Sequence, residues 1–326
     1  MSDYRDSALK DFTKFYFKTG RLDYQGKATD DLSFRVRLAF NKDATTGVDS
    51  TQTAVEYAFL THKMSDMFSL SVGKVNSDIG GFEGATSGAD LYLTSQFYTL
   101  KGPNGDLATR AATAAGTGHN IGTTDLLYMT GVKGTFTFAD QNITLLATDE
   151  ATPVRASGVA AEQNSSLMGA IWRGAFMDKA FMTNLSYHTM NGPADGDKHQ
   201  LMAAGVMWNA NPWMFSADYL MSEFKEDASG DKDTVTSIVA KFAYSGWEKW
   251  TPRLEFQTSE EKIEIGGTAT NKFIGYGAVL EYKPYTDTNF RYHLAYNNVK
   301  EEPETGDDIT SQEIVLGARL MADFLK

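Results

Sequence analysis

The chain has no cysteine among its 326 residues, which excludes disulfides, thiol nucleophiles and cysteine-ligated metals. That absence suits a protein exported unfolded, with no thiols to mispair. Long apolar runs are missing too: 42% of the residues are hydrophobic, yet no ten consecutive positions are apolar. A membrane-spanning helix of about 20 residues is therefore excluded. Positive charge is short, with a net charge of -12 and no basic stripe carrying interleaved aromatics, so nucleic acid is not expected as a partner. The opening MSDYRDSALKDF holds no apolar export segment, and the expectation is that one has been removed. HExxH, GxSxG, the P-loop and a full GxGxxG are all missing. No cofactor or metal is expected, and the chain is not read as an enzyme.

What the sequence has is alternation. In LSFRVRLAFN at 32–41, Leu32, Phe34, Val36, Leu38 and Phe40 face one way, and Ser33, Arg35, Arg37, Ala39 and Asn41 the other, because strand side chains alternate faces. This pattern returns in about fifteen segments of roughly ten residues, the signature of a transmembrane β-barrel with a wet lumen. Strands are expected near 15–26, 32–41, 51–62, 67–76, 124–138 and in ten further segments ending at 312–324. Short connections such as ATDD (28–31), MSD (64–66), NANP (209–212) and PYTDT (284–288) alternate with long, polar ones. Tight turns on one rim and long loops on the other are what an outer-membrane barrel shows, with the short turns periplasmic. Trp208, Trp213, Trp247, Trp250, Tyr282 and Tyr285 crowd those short turns, as rings seated at a bilayer interface would.

The whole chain, 1–326, reads as a single barrel domain. Barrels of this type have an even number of strands, about sixteen here, so an outward-running strand should precede residue 15. Residues 1–14 look too short to hold that strand and its loop, which leaves it outside this sequence or supplied unconventionally. The turns at Ser65 and Asp140 lie about twice the usual distance apart, and 107–122 is rich in Ala, Gly and Thr without alternation. One long loop, about 77–123, is expected there, with 89–100 open to being a strand or a short helix. The acidic connections at 225–233 and 301–308 read as solvated loops rather than cation or headgroup sites.

The polar register of each strand gives the candidate pore lining. Arg21, Arg35, Arg37, Lys133, Arg173, Lys241, Arg253, Arg291 and Arg319 form the basic set; Asp23, Glu56, Asp218, Glu255, Glu281 and Asp323 form the acidic set. That slight basic excess, in a channel where charge is screened beyond about 8 to 10 Å, favours weak selectivity. Arg21, Arg35 and Arg37 are expected to form a cationic strip, with Glu56 on the next strand as partner carboxylate. A basic strip facing acids across a constriction would set up a transverse field. His188 and His293 share the inward register with Asp218 and Glu281, but such pairs are expected by chance among this many polar positions.

The run VEYAFLTHKMSDMFSLSVGKVNSDIGGFEGATSG at 55–88, with its Leu-x-Val-Gly-Lys strand end at Leu70, Val72, Gly73 and Lys74, resembles the phosphate-selective porin O/P family of Gram-negative trimeric porins. FYFKTGRLDYQG at 15–26 is similar to that family's second strand, in keeping with the even-number argument. The resemblance implies a sixteen-stranded barrel, a homotrimer, and a third loop folded into the lumen as the constriction, here 78–123. The sequence departs from the family where phosphate would be selected: the loop holds only Lys101 and Arg110 against Asp78, Glu83, Asp90 and Asp106. Phosphate specificity is not expected to carry over. The expected function is a bacterial outer-membrane porin passing small hydrophilic solutes and ions by passive diffusion, in contact with outer-membrane lipid and lipopolysaccharide. The alternative is a barrel plugged by its long loop that acts as a surface receptor, adhesin or structural protein.

Overall fold

A computed structural model of the chain describes residues 2–6, 12–15, 17–18, 20–40, 53–99, 101–102, 105–106, 126–150, 166–192, 195–265 and 267–323. The first barrel strands are β1 (Ser2–Asp6), β2 (Phe12–Lys14), β3 (Gly20–Lys27), β4 (Leu32–Phe40), β5 (Thr53–Lys63) and β6 (Phe68–Asn76). After the long loop come β7 (Tyr128–Phe138), β8 (Gln141–Glu150), β9 (Ser166–Phe176), β10 (Phe181–Asn191), β11 (Lys198–Ala210) and β12 (Trp213–Lys225). The last are β13 (Lys232–Tyr244), β14 (Trp250–Ile263), β15 (Ala269–Tyr282), β16 (Asn289–Glu302) and β17 (Ile309–Met321). Every neighbouring pair from β3 to β17 is antiparallel, in sequence order.

The sheet closes through its first strand. β1 pairs with β17, from Ser2↔Val315 to Asp6↔Ser311, and on its other side with β2, from Ser2↔Lys14 to Tyr4↔Phe12. β3 follows β2 in the chain. The strand expected ahead of residue 15 is therefore present within residues 1–14, where the sequence reading found too little chain. It fits because it is only five residues long and starts halfway up β17 rather than at its end.

Burial follows the alternation. Along β15 it switches residue by residue, with Asn271 and Phe273 buried inward while Ile274 and Tyr276 stay 40% and 52% exposed on the outer face. Leu60, Val72, Leu145, Ile238, Leu254, Leu294 and Leu316 continue the same outward apolar belt. A folded chain that leaves this much apolar surface uncovered needs an apolar surrounding, which a bilayer supplies. Rings cluster at the short-turn rim: Trp213 lies 4.4 Å from Tyr244, and Trp250 4.5 Å from Tyr282.

Candidate functional site

The loop after β6 enters the barrel and is fastened to its inner wall. It contains a helical turn α1 (Phe82–Ala85), a 3-10 turn (Gly88–Asp90) and a second helical turn α2 (Gln96–Thr99), so the described part of 89–100 holds short helical turns at its two ends and no strand. Just inside the wall, His188 Nε2 sits 2.8 Å from the Ser77 carbonyl. Asp78 pairs with Lys133 and, at 3.1 Å, with Arg173. Burial alone would raise the Asp78 pKa, but these two cations outweigh it and hold the carboxyl below its ordinary range.

Asp218 accepts the backbone N–H groups of Phe82 (2.9 Å) and Glu83 (2.7 Å) at the start of α1. Two glycines permit that approach. A Cβ on Gly81 would lie 2.1 Å, and one on Gly205 2.2 Å, from the Asp218 carboxylate. The Gly-Gly-Phe-Glu-Gly run is thus a docking surface of bare backbone. Glu83 then turns away from water: its carboxylate accepts the Ser95 N–H (2.8 Å) and hydroxyl (2.7 Å). Burial pushes the Glu83 carboxyl up to about 7, although the Lys241 charge and the Ser95 hydrogen bonds oppose this.

From α1 the loop crosses the lumen. Ser87 reaches Arg21 (3.4 Å), the Leu91 carbonyl accepts from Lys18 (3.0 Å), and Asp90 pairs with Arg291 and with Arg319 (2.8 Å). It then returns along β16 to β13. Tyr92 OH donates to Glu281 (3.3 Å), Leu93 N–H to Glu255 (3.0 Å), and Phe97 N–H to Ser237 (3.2 Å). Arg253 joins the two wall acids, 2.7 Å from Glu255 and 3.3 Å from Glu281. Ile79, Phe97 and Tyr98 pack on inward-facing Leu146, Leu167, Leu201 and Leu220, so from β6 to β13 the barrel interior holds an apolar core. Fully burying such a side chain is worth about 1.5–3 kcal/mol, which makes this the strongest part of the docking.

Toward β3–β5 the wall is charged. Arg21 clasps Glu56 (2.9 and 3.2 Å), and Arg37 sits 2.7 Å from the same carboxylate. Arg37 also donates to Tyr128 OH (3.1 Å) and lies 3.8 Å over the Tyr57 ring, with Arg35 at 4.7 Å from that ring. Arg35 differs from expectation: its partner is Asp23 (2.9 and 2.5 Å), because the pairing of β3 with β4 brings that carboxylate closer than Glu56. Arg35 and Arg173 keep 34% and 41% of their side chains exposed, against 12% for Arg253 and 9% for Arg291.

The anticipated field between facing rows of opposite charge takes a different form. Asp78 and Asp90 rest directly on wall cations, so their charge is compensated locally and not across a gap. Along β3–β9 five cations (Arg21, Arg35, Arg37, Lys133, Arg173) meet three carboxylates (Asp23, Glu56, Asp78). On the other side Lys241 is buried with no hydrogen-bond partner for its Nζ among the described residues. Neither His188 nor His293 pairs with an acid among the described residues. His188 bonds to the loop backbone, and His293, although opposite Glu281, packs 5.0 Å from Tyr92 while that acid is taken by Arg253, Arg291 and Tyr92. Lys101 and Asp106 are opposite in the register of two paired two-residue strands, and Arg110 lies outside the described residues.

The family profile described as phosphate-selective porin O and P matches residues 2–247. Among solved structures, the anion-selective porin from Comamonas acidovorans superposes with a TM-score of 0.63 at 11% identity, covering 98% of this chain and 96% of that one. Salmonella typhi OmpF, in complex with daunomycin, gives 0.60 at 13% identity over 98% and 95%. Vibrio cholerae OmpT in a trimer form gives 0.57 at 11% over 96% and 95%. No curated protein matches the sequence.

Proposed function

Since the chain belongs to the phosphate-selective porin O and P family, and is thereby an outer-membrane porin, we propose that small hydrophilic solutes and ions diffuse passively through its barrel with a weak preference for anions. The observation that carries this reading is the uneven inner wall. Along β3–β9 Arg35, Asp23 and Arg173 stay partly exposed, and cations outnumber carboxylates five to three. The loop and its apolar core fill the interior against β6–β13, and the loop's polar contacts continue along β14–β17. Solutes take the β3–β9 side, where Arg21, Arg35, Arg37, Lys133 and Arg173 bias ions without binding them tightly. In this reading the long loop, expected at 78–123 and described over 78–99, serves as the constriction within a single barrel domain. The homotrimer and the contact with lipid and lipopolysaccharide belong to this proposal, the former in keeping with the trimer form of OmpT. The proposed activity is transport, without catalysis.

A second reading has one observation in its favour. The loop crosses from Asp218 to Arg21 and Asp90 to Arg319, as a plug would, and such a barrel could serve as a receptor, adhesin or structural element. Reversal potential in a planar bilayer across a potassium chloride gradient decides between them. Steady currents with a mildly anion-favouring potential support the porin; strong cation selectivity would refute the proposed path, and silence would support the plug.

A further inference from the structure

Strand β5 turns two consecutive side chains into the lumen. Glu56 is 1% and Tyr57 8% exposed, whereas the adjoining Val55 is 42% exposed on the outer face. A regular strand sends neighbours to opposite faces, so one of the two would have met lipid. The pairing of β4 with β5 removes that conflict. Arg37 is opposite Tyr57 and Leu38 opposite Val55, a bulge that leaves Glu56 facing no residue of β4. Bulges of this kind re-aim side chains beside functional sites.

The re-aimed carboxylate fills a fork of guanidinium groups. Arg21 donates to it through Nε (2.9 Å) and Nη2 (3.2 Å), one bond to each oxygen, and Arg37 Nε lies 2.7 Å from Oε2. This planar two-point grip is how arginine recognises a carboxylate. Both cations are also held by other groups. Arg21 reaches Ser87 of the loop (3.4 Å), while Arg37 donates to Tyr128 OH (3.1 Å) and lies 3.8 Å over the Tyr57 ring. The arginine side chains keep 22% and 15% of their surface exposed, so the fork opens on the lumen while the carboxylate between them is covered. Asp78 and Asp90 reach their cations from the loop; Glu56 is part of the wall itself.

We propose that Arg21 and Arg37 form a binding site for a single carboxylate, that Glu56 is its resident ligand, and that this occupation sets the specificity of the channel. A tethered, oriented group has an effective concentration that no free solute matches. Carboxylate-bearing solutes therefore pass the fork without lodging in it. This consequence for selectivity rests on the porin reading, whereas the site itself does not depend on the passage of solutes.

Glu56→Ala tests the proposal, because the atoms it deletes beyond Cβ leave a space of the shape of acetate. The probe is potassium acetate, compared with potassium chloride at equal ionic strength, on the full chain in detergent. In chloride the variant should melt below the parent, since two guanidiniums lose their counter-charge. Acetate should restore the midpoint saturably, with half-saturation at about 10 mM, within the range open to so small a ligand. Glu56→Gln removes the same charge but keeps the space filled, so neither it nor the parent should respond. Adding Arg37→Gln to Glu56→Ala should abolish the response. Inorganic phosphate, tetrahedral and larger, should raise the midpoint less than acetate does. Should Glu56→Ala fold too poorly to melt, its refolding yield should rise with acetate and not with chloride. Indifference of the Ala variant to acetate in both readouts, an equal response in the parent or the Gln variant, a response that survives the loss of Arg37, or a preference for phosphate would each overturn the site. In planar bilayers with acetate on both sides, the raised anion preference of Glu56→Ala should return to the parent's value, and a preference that stays raised would overturn the role of Glu56 in specificity. A silent parent whose Ala variant still melts in an acetate-dependent way would leave the site standing and remove the porin reading.

Discussion

Glu56→Gln isolates the electrostatics of the charged β3–β5 wall. The carboxylate is 1% exposed and neutralises two guanidiniums, Arg21 and Arg37. Removing its charge leaves both arginines in place, because Arg37 is also held by Tyr128 and the Tyr57 ring, and Arg21 by Ser87. The wall then gains one net positive charge. An ion passing about 7 Å from that charge in water feels about 0.6 kcal/mol, which screening at about 0.1 M salt cuts to about 0.3. Anion and cation shift in opposite senses, so the anion-to-cation permeability ratio should rise about threefold, and about fivefold near 0.01 M salt, where the Debye length is about 30 Å. Reversal potentials in planar bilayers read this directly. Arg35→Gln with Arg37→Gln should move the potential the other way, toward cations. A null effect in both variants, or a shift of the same sign in both, would refute the placement of the solute path along β3–β9.

Asp90→Asn removes the anchor that Arg291 and Arg319 share at the far side of the lumen. Discounted for its partial exposure, the lost pairing is about 1–2 kcal/mol, and open-channel current noise should increase while mean conductance holds; quiet currents would show that the apolar core alone fixes the loop. Glu83 favours its protonated form when docked, so docking stability should fall as pH rises from about 4.5 to about 7 and then level off. Noise recorded across that window should climb in the parent and stay flat in Glu83→Gln; identical profiles would remove Glu83 from control of the loop. Ile238→Arg on the outer belt should cost about 2–4 kcal/mol in urea titrations of vesicle-folded protein, whereas Ser71→Arg on the inner face should cost under about 1. Equal costs would mean that the outer face does not meet lipid.

The strand pattern was legible where one face is polar throughout. In β4, Arg35 and Arg37 alternate with Phe34, Val36 and Leu38, and no other structure accommodates that period. β9 was harder, since SLMGAIWRGAF puts apolar side chains on both faces. Its inward Leu167 covers the folded-in loop, a contact no local pattern encodes. The first strand escaped notice because five residues carry too little period to register, and only pairing with β17 identifies it. Of the site, the Arg37–Glu56 pair was readable from adjacent strands, while Asp218 as the seat of α1 was not. The available signal was Gly81: two successive glycines ahead of Phe-Glu mark a close backbone approach. The serines at 95, 237 and 259 gave no signal, because a short hydroxyl becomes a ligand for the loop only once distant strands converge.

With no native cysteine, Arg35→Cys provides a single reactive thiol at the wettest arginine of the β4 wall. Single-channel currents recorded while a negatively charged thiosulfonate is added to the bath test the account most directly. A continuous hydrated path past residue 35 requires open channels whose current steps down and turns toward cations on modification, with charge restored by a positively charged reagent of the same size. Silent bilayers, or currents indifferent to both reagents, would contradict it.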